Sequence, residues 1–140
     1  MVRLRQLSSK YYRELFESAS EAIWIHDLEG KVVAANKAAE NLSGYSRGKQ
    51  HRPRVTQFLG KEALARAREI RRRLLKGEAV ERRYEQRIIK RDGTEAILEM
   101  VTSVVHVDGK PVAFQHIARD VTEERRMRDS LRFYLQAVIM

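Results

Sequence analysis

The sequence predicts an α+β fold with a five-stranded antiparallel sheet. Three observations support this prediction. Two short apolar runs flank a tight turn and lead directly into a helix between residues 22 and 46. Two longer stretches, 80–90 and 94–107, are separated by Arg91-Asp92-Gly93, a sequence typical of a β-hairpin turn. A fifth strand is predicted from Pro111 to Arg119, after a turn at Asp108-Gly109-Lys110.

A helix is predicted before the sheet. Ser8 or Ser9 is a favourable N-cap, and Tyr12, Leu15 and Phe16 follow at helical spacing. These apolar side chains would cover the core, contact a second subunit, or do both.

The first hairpin and the helix after it form a short continuous unit. Asp27-Leu28-Glu29-Gly30 separates the two apolar runs, and Gly30 can adopt the positive φ that the turn requires. Asn36 follows the second run and is a favourable N-cap for a helix through Leu42. Ser43-Gly44 ends that helix.

Two further helices are predicted. The first covers 61–76, after an irregular polar segment at 47–53, and ends at Gly77. Its buried stripe is Leu64, Ala67, Ile70 and Leu74, and its opposite side carries Arg66, Arg68, Arg72 and Arg73. The second covers 122–140, where the spacing typical of a coiled-coil seam is shown by Met127, Leu131, Tyr134 and Val138.

Composition limits the classes of function. The 140 residues suffice for one domain with its own core, and there is no cysteine for a disulfide, a thiolate metal site or a nucleophile. The start of the chain lacks the apolar segment of a signal peptide, and no apolar run reaches the roughly 18 residues of a membrane span. We therefore expect a cytoplasmic domain that makes no membrane contact.

The positive charge is concentrated in one segment. The chain has a formal net charge of +9, and residues 46–91 contain 16 Lys and Arg against 5 Glu. Such a surface can contact nucleic acid, so a nucleic-acid-binding module that uses helix 61–76 is an alternative function. The charges are not interleaved with aromatic residues, which favours an ordinary solvated surface, and we do not expect a nucleic acid partner.

Catalysis has little support in the sequence. There is no Gly-rich phosphate loop, no His-Glu-x-x-His and no Gly-x-Ser-x-Gly. We therefore predict no catalytic residues, no metal site and no enzymatic activity.

Two motifs carry a resemblance to a known family. Residues 27–46, DLEGKVVAANKAAENLSGYS, resemble the opening of a PAS sensory domain from bacterial or archaeal signalling proteins. Arg119-Asp120-Val121-Thr122-Glu123 resembles the closing Asp-x-Thr motif. The resemblance implies the PAS fold, with the helices on one face of the sheet. It also implies a flanking helix at 1–18, a core domain at 19–121 and a signalling helix at 122–140.

The resemblance also restricts the cofactors. Light-sensing relatives form a flavin adduct with a cysteine in the segment that corresponds to 47–59, and haem-binding relatives use a histidine near the start of helix 61–76. Neither residue is present here, so we expect neither covalent flavin nor haem. The cofactor is otherwise unknown, and a small-molecule ligand or a non-covalent flavin stays possible.

Strand alternation and analogy with flavin-binding relatives give the cavity residues. Side chains alternate between the two faces of a strand. The residues predicted to face the cavity are Trp24 and His26 on the first strand, Leu98, Met100 and Thr102 on the fourth, and Phe114, His116 and Ala118 on the fifth. The two histidines could also be hydrogen-bonded core residues without a ligand.

The resemblance assigns signal transmission to the junction between the last strand and the last helix. Asp120 and Thr122 are the motif residues, and Arg91 is the predicted cationic partner of Asp120; a simple N-cap is the alternative. The predicted function is the input domain of a sensor histidine kinase or cyclic-dinucleotide enzyme, with an effector domain downstream. A homodimer is expected through Tyr12, Leu15 and Phe16 and through the last helix. A dimerisation spacer with a filled core is a further alternative.

Overall fold

Five strands and four helices make up the structure, a computed structural model that describes residues 2–46, 54–80 and 83–139. The strands form one antiparallel sheet in which the second strand lies at one edge and the third at the other, in the order 2-1-5-4-3. This arrangement confirms the predicted α+β fold. The strands are β1 (Ala22–Asp27), β2 (Val32–Ala35), β3 (Tyr84–Ile89), β4 (Glu95–Val107) and β5 (Lys110–Asp120). The helices are α1 (Val2–Ser18), α2 (Lys37–Ser43), α3 (Lys61–Leu75) and α4 (Thr122–Ile139), with a 3₁₀ turn at Val55–Gln57.

The core lies on one face of the sheet. On β4, buried Ala96, Leu98 and Met100 alternate with less buried neighbours, as expected for a strand with one covered face. Ala39 of α2 and Ile70 of α3 pack against the same cluster. The helices α2 and α3 therefore cover this face and form the second layer of the fold.

The β1–β2 turn needs a glycine. The carboxylate of Asp27 accepts hydrogen bonds from the amides of Glu29 and Lys31 at 3.0 and 2.8 Å, and Gly30 has φ +90°. The carbonyl of Gly30 accepts from the amide of Val55 at 2.9 Å, and a Cβ at Gly30 would lie 3.1 Å from Val55 Cγ2. The turn thus also fixes the position of the 3₁₀ segment.

Asn36 is the predicted N-cap of α2, and its side chain also joins three other parts of the chain. Its Oδ1 accepts from the amides of Ala39 at 2.9 Å and of Ile23 at 3.0 Å. Its Nδ2 donates to the carbonyls of Phe16 and Glu21, both at 3.0 Å. The side chain is fully buried, and both of its donors and both lone-pair directions of its acceptor are used. Asn36 therefore connects the end of α1, the start of β1 and the first turn of α2.

Two boundaries differ clearly from the sequence predictions. The helix α1 runs through Ser8 and Ser9, so neither is an N-cap; the preceding Leu, Arg and Gln residues favour helix. In the described residues, β3 begins at Tyr84 and not at Val80, and the β4 residues after Met100 pair with β5. The irregular segment predicted at 47–53 lies outside the described residues.

In the described ranges, no helix combines the length and apolar character needed to cross a membrane.

The connecting role of Asn36 predicts an unusual response to Asn36→Asp. Asp and Asn are equally good N-caps at exposed positions. Here Asp would remove both donors and direct a carboxylate at the carbonyls of Phe16 and Glu21. Leaving buried hydrogen-bonding groups unpaired costs about 1–3 kcal/mol each, so we expect the free energy of unfolding to fall by at least about 2 kcal/mol. Chemical denaturation measures this loss.

The reverse exchange at a surface turn provides the control. Asp92 is exposed and accepts from the amide and hydroxyl of Thr94 at 2.9 and 2.6 Å. Asp92→Asn keeps an acceptor oxygen in that position, so we expect little change in stability. If Asn36→Asp were as mild as Asp92→Asn, Asn36 would be no more than a helix cap.

Candidate functional site

A cavity of about 350 Å³ lies between the core face of the sheet and the helices α2 and α3. This volume is within the range of small-molecule sites. Most of its wall is apolar, and polar side chains come from positions on α1, α2 and α3 and on β1, β3, β4 and β5. The main apolar residues are Val32, Ala35, Ala39, Leu42, Val55, Phe58, Leu59, Ala67, Ile70, Ile88 and Met100.

Five of the eight predicted cavity residues line this cavity: Trp24, His26, Met100, Thr102 and His116. The other three, Leu98, Phe114 and Ala118, are buried on the predicted face but do not line the cavity. Leu98 and Ala118 belong to the packed core, and the Phe114 ring lies behind His26 with 5.5 Å between ring centroids. Strand alternation gave the correct face, but it could not show which part of that face is covered by packing.

A chain of hydrogen bonds runs across four strands beside the cavity. Nδ1 of His26 lies 2.8 Å from the carbonyl oxygen of Asp27, and its Nε2 lies 2.8 Å from Nε2 of His116. Nδ1 of His116 is 2.8 Å from the hydroxyl of Thr102, which is 2.5 Å from the hydroxyl of Tyr84. Each side chain in the chain contacts the next, so β1, β5, β4 and β3 are joined through their side chains as well as their backbones.

Both imidazoles are held in the neutral form. Burial lowers the pKa of His26, and the nearby charge of Arg71 lowers it further, although the hydrogen bond to the Asp27 carbonyl opposes this. Burial holds the pKa of His116 well below its usual value, with further lowering by His26 and Arg71.

Neutral rings fix the direction of every hydrogen bond in the chain. The Asp27 carbonyl can only accept, so Nδ1 of His26 carries the proton and its Nε2 accepts from His116. Nδ1 of His116 is then an acceptor for the Thr102 hydroxyl, which accepts from Tyr84. A proton added to His26 at Nε2 would reverse the donors as far as Tyr84. The chain can therefore hold two proton arrangements on the same atoms.

Sequence reasoning missed several polar residues of the cavity wall, among them Arg71 and Gln86. Arg71 belongs to an arginine run, but it follows Ala67 by four residues and precedes Leu74 by three, so helical spacing could have placed it on the buried stripe. Gln86 lies two residues after Tyr84 on β3 and shares its face. Within the described ranges, no three His, Asp or Glu side chains lie close enough together to hold a metal ion.

The junction between β5 and α4 is held differently from the prediction. The carboxylate of Asp120 accepts from the amide and the hydroxyl of Thr122 at 2.9 and 2.5 Å, so Asp120 caps α4. The predicted contact with Arg91 is wrong: Arg91 is exposed, and its amide donates to the carbonyl of Ser43 at 2.9 Å. The β3–β4 hairpin turn is held against the end of α2, where a Cβ at Gly44 would lie 3.3 Å from Cβ of Arg91, so Arg91 contacts α2 and not Asp120. Arg125 of α4 instead pairs with Glu85 of β3.

Six of the seven residues predicted to form a dimer contact are exposed. Tyr12 and Leu15 of α1 are 59% and 57% exposed, and the α4 seam ranges from 60% at Leu131 to 81% at Val138, with Met127 and Tyr134 between. Phe16 differs, because it is half-buried and lines the cavity.

Solved structures of other proteins resemble this fold. A PAS domain from Colwellia psychrerythraea is 23% identical and covers 83% of this chain and 98% of its own, with a TM-score of 0.71. A domain of a sensory box sensor histidine kinase/response regulator from Geobacter sulfurreducens is 28% identical, with coverages of 81% and 94% and a TM-score of 0.65. An RNA-binding light-oxygen-voltage receptor is 24% identical, with coverages of 94% and 38% and a TM-score of 0.73. No curated protein matches the chain.

The fold and the cavity define a class: an α+β domain with a ligand-sized space between a five-stranded sheet and its helices. The family model described as "PAS domain" matches residues 20–123, which is most of the chain. The chain therefore belongs to the PAS domain family.

The buried imidazoles predict a loss of stability in mild acid. A histidine whose pKa is lowered by folding binds fewer protons in the folded chain than in the unfolded chain. The stabilisation is complete above the unfolded pKa of about 6.5 and is lost as the pH falls below it. We expect the free energy of unfolding to decrease there by up to about 1.4 kcal/mol per pH unit for each ring. Denaturation between about pH 7.5 and 5 measures the slope.

Two variants separate these rings from other groups. His116→Gln removes one buried titrating ring, so the slope should become smaller. His106 is exposed near the end of β4, and His106→Gln should leave the slope unchanged. Equal slopes in the unchanged protein and in His116→Gln would contradict the assignment of a buried neutral imidazole.

Proposed function

We propose that this PAS domain is a sensory module in which a small molecule in the cavity alters the sheet, and α4 carries the change to an effector domain. We further propose that the parent protein is a sensor histidine kinase or a cyclic-dinucleotide enzyme. One observation carries this proposal: two polar residues of the cavity wall, Thr102 and His116, lie on β4 and β5, the same strands that hold the start of α4.

The connection from β4 to α4 consists of two hydrogen bonds at Ile97. The Ile97 amide donates to the hydroxyl of Thr122 at 2.8 Å, and the Ile97 carbonyl accepts from the amide of Val121 at 2.9 Å. Thr102 stands five residues further along β4, at the cavity wall. A shift of β4 caused by a ligand at Thr102 would therefore move the first residues of α4.

Asp120 and Thr122 act in this proposal by keeping the start of α4 attached to the sheet. Asp120 orients the Thr122 hydroxyl, which in turn accepts from Ile97. The Arg125–Glu85 pair adds a second attachment one turn later. Arg91, which does not contact Asp120, has no part in the proposed transmission.

The proposed parent class is supported by the names of similar proteins. Besides the Geobacter sulfurreducens domain, a PAS domain from a two-component sensor histidine kinase resembles this chain, with 19% identity and a TM-score of 0.66. Histidine kinases transmit signals along helices that leave their input domains, which fits the position of α4 directly after the last strand of the sheet.

We also propose that the module is a homodimer. The exposed apolar residues of α1 and α4 are more than isolated surface positions, because they recur at helical spacing along both terminal helices. A second copy of the chain would cover both stripes. The cytoplasmic location and the lack of enzymatic activity stay sequence-based predictions.

The alternative functions have less support. A dimerisation spacer with a filled core does not need a cavity of about 350 Å³. For a nucleic-acid surface on α3, two of the four exposed arginines are already engaged by carboxylates, Arg72 by Glu69 and Arg73 by Glu78. We therefore do not propose nucleic acid binding. We still do not expect covalent flavin, since the chain has no cysteine.

Native mass spectrometry of protein purified from its own host tests ligand and assembly together. At a protein concentration of roughly tens of micromolar, we expect a dimer whose mass is increased by a retained small molecule. Leu131→Glu places a charge in the α4 seam and should give a monomer. Gln136→Glu adds the same charge on the other side of α4 and should leave the dimer intact.

A monomer with an empty cavity would contradict the proposal. If the Leu131→Glu variant is still a dimer, the homodimer proposal stands, but the interface lies on another surface.

A further inference from the structure

One buried acceptor in the cavity wall has no hydrogen-bond partner among the residues that the structure describes. Gln86 is 4% exposed, and its Nε2 donates to the carbonyl of Ala63 at 3.2 Å. That carbonyl can only accept, which fixes the orientation of the amide and leaves Oε1 without a hydrogen bond. An unpaired buried oxygen is costly, and Gln86 lines the cavity. A ligand that donates a hydrogen bond there would satisfy it.

A cation in the same wall also lacks an opposite charge. Arg71 is half-buried and lines the cavity, and no carboxylate of the described residues pairs with it. Its neighbours on α3 differ, because Arg72 and Arg73 are exposed and paired with Glu69 and Glu78. The charge of Arg71 reaches the cavity interior, where it acts on His26, His116 and Tyr84. The cavity therefore has a positive potential on its α3 side.

The positions of these groups describe a ligand with two different ends. Gln86 contacts α3 at Ala63, whereas Arg71 lies two turns further along the helix and acts on Tyr84. Tyr84 and Gln86 are two residues apart on β3, which separates them by about 7 Å. The wall between is apolar, with Ala67, Ile70 and Ile88. The cavity wall also includes Glu17 of α1 and Glu40 of α2.

We propose that the cavity binds a small organic carboxylate: the carboxylate pairs with Arg71, a hydroxyl or amino group donates to Gln86 Oε1, and an apolar body lies between them along α3. This inference rests on the proposed function, because it names the ligand class of the same cavity. One guanidinium matches one carboxylate, and the two ends of the ligand satisfy the two groups that the protein leaves unpaired.

Three matched probes test the two ends separately. The first is 4-hydroxyphenylacetate, which has a carboxylate at one end and a hydroxyl at the other. In 4-hydroxyphenylacetamide the charge is removed, and in 4-methylphenylacetate the donor is removed. We expect calorimetric titration to give the tightest binding for the first probe and about tenfold to a hundredfold weaker binding for each of the others.

Substitutions assign each preference to its residue. Arg71→Gln should abolish the preference for the carboxylate over the carboxamide. Gln86→Leu should abolish the preference for the hydroxyl over the methyl group. Arg72→Gln, the neighbouring exposed position on α3, should keep both preferences.

Several results would overturn the proposal. These are equal binding of the acetate and the acetamide, an Arg71→Gln variant that discriminates as well as the unchanged protein, or no saturable binding of any probe up to about 10 mM. A neutral molecule retained by a dimeric protein in native mass spectrometry would overturn the carboxylate assignment alone and leave the sensory function intact.

Discussion

The four hydrogen bonds of the Asn36 side chain are the constraint on which the cavity depends. They hold the end of α1, the start of β1 and the first turn of α2 at fixed distances from one buried amide. The sheet supplies one wall of the cavity, while Phe16 of α1 and Ala39 of α2 supply parts of the other. Without this amide, the backbone hydrogen bond from Asn36 to the Ile23 carbonyl would remain, but the four side-chain bonds that join α1, β1 and α2 at one point would be lost together.

The second constraint is electrostatic and lies inside that space. Two imidazoles, a threonine and a tyrosine satisfy one another across β1, β5, β4 and β3. Two other polar groups of the wall have no partner among the described residues: the guanidinium of Arg71 on α3 has no carboxylate, and Oε1 of Gln86 on β3 has no donor. Burial near Arg71 keeps the imidazoles neutral, and an anion at Arg71 would reduce that effect. Ligand charge and the proton arrangement of the chain are therefore coupled.

Local patterns predicted much of this structure, and the misses have physical reasons. Gly30 predicts its turn and Asn36 predicts its helix cap, because each of these structures depends on residues that are close in sequence. Strand alternation placed His26, Thr102 and His116 on the cavity face for the same reason. Alternation says nothing about what fills a face, so Leu98, Phe114 and Ala118 were assigned to the cavity although they fill the core. The partner of Asp120 and the free groups of Arg71 and Gln86 depend on residues distant in sequence.

The central claim is that the contacts of Ile97 connect the cavity mechanically to α4. Amide hydrogen exchange followed by NMR, with and without saturating 4-hydroxyphenylacetate, tests it directly. The account predicts that exchange at Ile97, Val121 and Thr122 changes together with exchange at Thr102 in the cavity wall, and that Asp120→Ala removes the response of α4 but not that of Thr102. A change confined to the cavity wall, with the three junction amides unaffected, would contradict it.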